Sequence, residues 1–404
     1  MLSPHTIATI KSTVPVLEIH GTEITKRFYN MLFENHPELL NIFNHANQKQ
    51  GKQQQALANA VYAAAKNIDQ LEAILPVVKQ VAHKHRSLGV RPEHYPIVGE
   101  HLLKAIKDVL KEDATEEILQ AWEEAYGVIA SVFIEVEEEM YEDAAKQPGG
   151  WEKERVFVVD RKEQESDVIT SFYLKPLDDK PIASFRAGQY ISVKVSIPGD
   201  QFTHIRQYSL SDVPGKAYYR ISVKKEADTS KPDGIVSNYL HDHVEVNDEL
   251  SITAPAGDFY LEEASSPIVL LSGGVGITPM LSMLKSSALQ HRNTTFIHAA
   301  LNGNVHAFHN EVLSLEHPSL DYYVCYEAPT NNDRDEKVFD KKGFITSEWL
   351  KEVLPLDTET EYYFCGPLPF MKAVKVALTN LGVEEKNMHF EFFGPAVALE
   401  PALS

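Results

Sequence analysis

From the amino terminus to about residue 146, apolar side chains recur at i, i+3 and i+4, as in Ile24, Phe28 and Leu32 or Ile118, Trp122, Ala125 and Ile129. That recurrence is the period of a helix with one buried stripe, so the spacing predicts an all-α region over 1–146. Gln147, Pro148, Gly149 and Gly150 then break the pattern, because proline and paired glycines do not carry a helix onward. From Trp151 to about Leu261 the runs VFVVD, QYISVKV, QYSLS and YRISVKK are β-branched or aromatic and separated by turn residues, which predicts a small antiparallel β-barrel over 151–261. Over 262–404, the apolar runs IVLLS, TFIHAAL, YYVCYE and EYYFCG alternate with helical stretches, as in an α/β domain built on a parallel sheet. The expected fold class is multidomain, in that order.

Length and composition agree with this division. A chain of 404 residues that is 43% hydrophobic can fill two or three packed cores. With 58 acidic against 38 basic side chains, a net charge of -20 and no Lys/Arg run, the chain repels phosphate backbones, and no nucleic-acid partner is expected. The opening MLSPHTIATI lacks a basic stretch followed by an apolar one, and no segment approaches the ~18 uncharged apolar residues of a membrane span. A cytoplasmic protein without a transmembrane segment is therefore expected, and a monomer is the expectation for its assembly. Only Cys325 and Cys365 occur, which excludes a disulfide framework and a thiolate metal cluster, so a tightly held metal needs other ligands.

Three constellations carry candidate chemistry. In PIVLLSGGVGITPM a buried strand runs into Gly273, Gly274, Val275 and Gly276, and Ile277, Thr278 and Pro279 open a helix. Glycines let backbone amides approach a diphosphate, and proline in the first helical turn forfeits no hydrogen bond. In EYYFCGPLPFM a second strand ends in Cys365, Gly366 and Pro367, at the carboxyl end where open α/β sheets bind ligands. In HIRQYSLS, strand alternation puts Arg206 and Tyr208 on one face, a cation for a diphosphate and a plane for a ring system, while Gln207 and Ser209 point oppositely. Gly234, Ser237 and Asn238 in DGIVSNYL form a second anion-binding turn at a helix start. In VVKQVAHKHRSLGV, Val78, Val81, Ala82 and His85 share an apolar stripe, whereas His83 points about 200° away and is expected to face solvent. A lone histidine on such a stripe is ordinarily a hydrogen-bonded core residue. Here Gln53 interrupts the face carrying Leu57, Ala60 and Ala64, and Tyr29 stands between Phe28 and Leu32, so polar groups occupy positions where a core would take methyls. Phe43, after the break at Pro37, adds an aromatic at a helix corner.

These residues carry a resemblance. GGVGITPM followed by CGPLPFM resembles the pyridine-nucleotide domain of the ferredoxin reductase superfamily, and HIRQYSLS with DGIVSNYL resembles that superfamily's flavin motifs. The resemblance implies that Arg206 and Ser237 hold phosphates, Tyr208 flanks the isoalloxazine, Ser209 touches its edge and Tyr190 lies on the adenine side. Glu391, Phe392, Phe393, Gly394 and Pro395 match a segment whose Phe shields the flavin, and Cys365, Gly366 and Pro367 would lie beside the nicotinamide. Tyr29, Phe43, Gln53, Leu57 and His85 resemble the haem pocket of bacterial globins, with His85 as proximal iron ligand and Tyr29 and Gln53 on the gas-binding side. A globin, a flavin barrel and a nicotinamide domain in this order resemble the flavohaemoglobins over nearly the whole chain. In that family a Tyr and a Glu bond with the proximal histidine, matching Tyr95 and one of Glu137, Glu138 and Glu139, of which Glu137 aligns best; Lys84 matches a basic residue at the haem edge.

The implied activity is nitric oxide dioxygenation, converting NO and O2 to nitrate with electrons from NAD(P)H by way of FAD and haem b. The same electron path could instead reduce oxygen, nitrite or hydroperoxides, or the globin could bind or sense gas with no enzymatic output. Many NADPH-using relatives carry an arginine after the second strand; His298, Ala299, Ala300 and Leu301 stand there, which favours NADH.

Overall fold

The computed structural model describes residues 2–43, 48, 51–226 and 234–394; Pro395 lies outside the described residues. The chain divides into two compact units, Met1–Glu154 with Ser192–Arg206, and Arg155–Ile191 with Gln207–Ser404.

The first unit is helical over α1 (Pro4–Asn35), α2 (Lys52–Lys66), α3 (Leu75–Leu88), α4 (His94–Leu110) and α5 (Glu116–Lys146). Local chemistry sets the ends of these helices. Ser3 Oγ accepts from the Thr6 amide at 3.0 Å with Pro4 in the first turn, and Thr115 caps α5 ahead of Glu116 and Glu117, acidic residues that suit the positive end of a helix dipole. Gly89, left-handed at φ +81, closes α3. Ile10, Leu17, Ile24, Phe28 and Leu32 of α1 pack with Leu102 and Ile106 of α4 and Trp122 and Ala125 of α5, the stripe that the spacing predicts. At the break after α5 the chain folds so closely onto the helix that a Cβ at Gly150 would sit 2.1 Å from the Ala144 carbonyl oxygen.

Residues beyond the break form two sheets. The first, in order β4-β3-β6-β1-β2-β5, contains β1 (Glu154–Gln164), β2 (Ile169–Pro176), β3 (Tyr190–Val195), β4 (His204–Ser209), β5 (Tyr219–Lys224) and β6 (Glu249–Thr253), with β2 antiparallel to both β1 and β5. Helix α6 (Gly234–His243) lies between β5 and β6 in sequence. The second sheet, in order β10-β9-β8-β7-β11-β12, contains β7 (Ile268–Gly273), β8 (Thr294–Ala300), β9 (Leu320–Tyr326), β10 (Lys341–Lys342), β11 (Glu361–Cys365) and β12 (Met388–Glu391), paired in parallel throughout. Helices α7 (Ile277–Leu289), α8 (His309–Leu313), α9 (Asn331–Glu336), α10 (Ser347–Val353) and α11 (Leu368–Asn380) connect it. Strand β7 is buried on both faces and β8 and β11 are nearly so, which is why they read as unbroken apolar runs. Strand order reverses at β7: the chain proceeds outward through β8, β9 and β10, then returns to β7's other side as β11 and β12. The crevice at such a switch point is where open α/β sheets take ligands. No helix among the described residues is long and apolar enough to cross a membrane.

Candidate active site

In the helical unit the centre is His85. Its Nδ1 donates to Glu137 Oε1 at 2.7 Å, and the Tyr95 hydroxyl donates to the same oxygen at 2.6 Å, 3.3 Å from the ring nitrogen. Glu137 is 2% exposed, while Glu138 and Glu139 lie on the exposed side of α5. The inward face of α5 runs through Ala130, Glu137, Tyr141 and Ala144, so helical phase singles out one of three adjacent glutamates. With Nδ1 committed to a carboxylate, Nε2 is the nitrogen left for a metal, and the anion behind the ring strengthens its electron donation. Phe133, one turn before Glu137, lies tilted beside both rings, its centroid 5.9 Å from that of His85 and 6.4 Å from that of Tyr95. The sequence reading passed over Phe133, although its i, i+4 spacing to Glu137 places both on one face. Tyr126 completes the wall: its hydroxyl donates to the Tyr95 carbonyl at 2.7 Å.

Two expectations about these helices need correction. His83 is half-buried, with Nδ1 out of reach of solvent, instead of facing it. The buried residues of α3 are Val78, Ala82, Arg86 and Ser87, with Val81 and His85 half-buried beside them. Apolar spacing alone gives no sign that Arg86, 5% exposed, is enclosed. On α2, Ala60 is exposed while Ala64 is buried as expected; the inner face is Gln54, Ala58, Ala64 and Ala65, and Gln53 and Leu57 flank it.

Tyr29, 6% exposed, has its ring 5.8 Å from Phe43 and 5.7 Å from Phe33. Burial pushes its hydroxyl pKa up against hydrogen bonding from the Gln48 and Gln53 side chains, so it stays protonated at neutral pH. Among the described residues Gln53 Oε1 is buried without a hydrogen-bond partner, so the Gln53 amide nitrogen is the group that meets Tyr29. The arrangement leaves the tyrosine proton as a donor. Gln48 and Gln54 belong to this corner too, with Gln54 Nε2 bonding Gln48 Oε1 at 2.9 Å; polar residues in a short break between helices give no periodic signal. Lys84 is half-buried beside His85, and its carbonyl accepts from Ser87 Oγ. One imidazole backed by a carboxylate fits a metal whose other ligands come from a macrocycle, and Tyr29 with Gln53 fits a small polarised ligand. The residues fit haem.

In the second unit the structure brings the two segments of the candidate nicotinamide site into backbone contact. A Cβ at Gly276 would lie 2.1 Å from the Cys365 carbonyl oxygen and 2.7 Å from the Gly366 nitrogen; Gly273 and Gly366 are equally closed by the Phe370 ring, at 2.8 and 2.6 Å. Gly274, at φ +52, faces open space. Val275 and Gly276 form a single 3₁₀ turn, and Thr278 Oγ1 donates to the Val275 carbonyl in the first turn of α7. The packing at Gly273, Gly276 and Gly366 admits no side chain, and the open backbone at Gly274 before the first turn of α7 suits an anion. Strand β12 pairs with β11 and sets Glu391 opposite Cys365, whose Sγ lies 3.5 Å from the Glu391 carbonyl. Burial pushes the Cys365 thiol well up, so it is an uncharged, polarisable neighbour. Pro367 caps α11. Phe392 turns into the core near Phe390, at 5.8 Å, while Phe393 is 49% exposed and Gly394 follows in a turn.

Of the flavin residues, Arg206 and Tyr208 are half-exposed on β4, Gln207 is exposed and Ser209 is buried. Arg206 Nη1 bonds the Ile205 carbonyl. Ser237 Oγ and Asn238 Nδ2 both bond the Gly234 carbonyl, at 3.2 and 2.7 Å, which winds the first turn of α6. Tyr190 is 4% exposed and pinned by Gly257, where a Cβ would strike its ring at 2.9 Å.

Comparison with known proteins matches this layout. A globin family model covers residues 26–133, an oxidoreductase FAD-binding domain 156–260, and an oxidoreductase NAD-binding domain 270–376. The flavohemoproteins of Bacillus thuringiensis subsp. konkukian and Bacillus subtilis are 60% and 54% identical, over 99% of this chain and 100% and 99% of theirs. The crystal structure of Malassezia yamatoensis flavohemoglobin with bound FAD and heme superposes with a TM-score of 0.84 at 27% identity, over 97% of this chain and all of that one. The FAD/NAD-binding domain of Vibrio cholerae nitric oxide dioxygenase covers 60% of this chain at 37% identity and a TM-score of 0.55, with 100% of that chain aligned. With a relative this similar along its entire length, and with a haem-type imidazole set and a nucleotide cradle in one polypeptide, the chain belongs to the flavohemoproteins, oxidoreductases that join a globin to FAD- and NAD-binding domains.

Proposed function

We propose that this flavohemoprotein is a nitric oxide dioxygenase, turning nitric oxide and dioxygen into nitrate with electrons from NAD(P)H, as a cytoplasmic monomer. The hydrogen-bonded set His85, Glu137 and Tyr95 is the observation that carries the reading. A ring held by a buried carboxylate suits activation of oxygen more than its reversible storage. When bound, haem b supplies an iron centre for dioxygen, and FAD supplies the conversion of a hydride into single electrons.

The chain's own residues do the rest. His85 would hold the iron, Glu137 fixes the ring's tautomer and orientation through Nδ1, and Tyr95 holds Glu137 in place. Tyr29, kept protonated by burial and aligned by Gln53, presents its O–H where negative charge develops. Phe43, Leu57 and Lys84 would border the haem. In the reductase, residues 151–261 take FAD through Arg206, Gln207, Tyr208, Ser209, Tyr190 and the turn at Gly234, Ser237 and Asn238. Residues 262–404 take the nicotinamide nucleotide in the Gly273–Thr278 cradle against Cys365, Gly366 and Pro367, with Glu391 to Pro395 as the flavin's cover. The bridge between Leu210 and Ile221 supports closure of the first sheet into a barrel. Leu301, 49% exposed just after β8, offers no cation to a 2′-phosphate and supports NADH as donor.

The test is product stoichiometry under air. Nitrate formed in proportion to NADH consumed, with little superoxide or peroxide, is the expected result. Peroxide in place of nitrate would make the chain an oxygen reductase, and nitric oxide uptake independent of NADH turnover would count against the enzyme altogether.

A further inference from the structure

Four charged side chains meet between the flavin-motif sheet and the helix that follows the glycine-rich loop, and none belongs to either motif. Side-chain exposure is 3% for Arg220 on β5, 9% for Asp212, 17% for Lys285 on α7 and 28% for Glu311 on α8. Lys285 Nζ donates to Asp212 Oδ1 at 2.6 Å and also to Glu311 Oε1. Arg220 Nη1 lies 3.1 Å from both Glu311 oxygens, and Arg220 also bonds the Ser211 carbonyl and hydroxyl. The Tyr218 hydroxyl donates to Asp212 Oδ2 and Ser282 Oγ to the Asp212 carbonyl, both at 2.7 Å. Burial pushes the Asp212 carboxyl up, but Arg220 and then Lys285 outweigh it and hold the group below its ordinary value. The two cations and two anions of these four side chains balance, and Glu165 also feels Arg220 and Glu311.

Such a cluster is weak support for stability, since packed apolar side chains do as well; what it adds is direction. Asp212 lies three residues beyond Ser209, and Lys285 lies about two turns along α7 from Thr278. We propose that Asp212, Arg220, Lys285 and Glu311 are positioning residues for hydride transfer, fixing the angle between α7, whose first turn belongs to the nucleotide cradle, and the segment Gln207–Asp212. The inference rests on the reading of those two segments as nicotinamide and flavin sites. A shift of about 1 Å between donor and acceptor costs roughly 100-fold in rate, so a loosened angle is kinetically visible.

The experiment uses the full-length protein with haem and FAD bound. Lys285→Met removes the cation and keeps most of the stem. Its flavin, rapidly mixed with NADH, should be reduced about tenfold more slowly per bound FAD or worse. NADH deuterated at the transferred position should give a larger isotope effect, and amide exchange should accelerate over 210–213 and 277–281. FAD content, haem spectrum and flavin reduction by dithionite should stay at parent values, and Lys285→Arg should restore the hydride rate. Should Lys285→Met fail to fold, Glu311→Gln, at the more exposed corner, should show the same pattern more weakly. An unchanged rate and exchange pattern, or loss of FAD with a normal rate in the flavin that remains, would overturn the proposal. Failure of NADH to reduce the parent's flavin would instead sink the reading beneath it.

Discussion

His85 in the helical unit and His298 in the nicotinamide domain both have aromatic neighbours, yet their hydrogen-bond partners are opposite in kind. His85 has an anion behind it, Glu137 at 2.7 Å, with a tyrosine hydroxyl on the same oxygen. His298 has neutral partners: its Nδ1 meets Ser272 Oγ at 2.7 Å, its ring stacks 4.3 Å from His306, and His306 in turn bonds the hydroxyls of Tyr326 and Tyr322 and lies 4.8 Å from His309. Burial, with a push from His309, lowers the His298 pKa to about 3, and burial holds His306 well below 6.5. The comparison teaches that an imidazole takes its role from what bonds its second nitrogen. A carboxylate prepares a ligand, whereas hydroxyls and other rings make a neutral packing element.

The comparison can be broken most sharply at His85. His85→Ala should abolish the haem Soret band and leave flavin absorbance intact; a retained normal haem spectrum would remove His85 as the ligand. Glu137→Gln keeps the shape and deletes the anion, and should lower nitric oxide turnover or haem affinity about 10–100-fold, with a weaker iron–imidazole stretch in the Raman spectrum. An unshifted stretch would mean that the carboxylate does not tune the ring.

At the other end, the expected effect is on stability. Because the folded-state pKa of His298 lies below 6.5, the unfolded chain takes up the proton first as pH falls. The stability contribution is whole above about pH 6.5 and is lost towards about pH 3, by up to about 1.4 kcal/mol per pH unit per site. Denaturant unfolding of the nicotinamide domain between pH 7 and 5 should show that slope, and His298→Asn should flatten it. An equally steep profile in the variant would assign the proton to another group. The smallest effect belongs to Tyr29→Phe, where loss of one hydrogen bond worth about 1 kcal/mol should speed oxygen release from the haem-loaded protein about fivefold. An unchanged release rate would turn Tyr29 away from the ligand.

Much of the site was legible in the sequence because its carriers are local. Helical period placed His85 and Tyr29 among apolar neighbours, strand alternation paired Arg206 with Tyr208, and glycine followed by proline marked the turn into α7. What went unread is the polar part of the packing: Arg86 inside α3, half-buried His83, Gln48 and Gln54 beside Tyr29, and the cluster around Lys285. Charged and amide side chains look alike in a sequence whether they are solvated or enclosed, since only the partner distinguishes them.

The order of helical, antiparallel and parallel regions, the break at Gln147–Gly150 and the residues of each motif follow from the chain alone, because dihedral preferences and side-chain period act over a few neighbours. Tertiary structure decided the pairings. Glu137 meets His85 from 52 residues away, and the placing of β11 beside β7 closes Gly276 onto Cys365. Contacts of that range are chosen by the packing free energy of whole elements, which no local window of sequence contains.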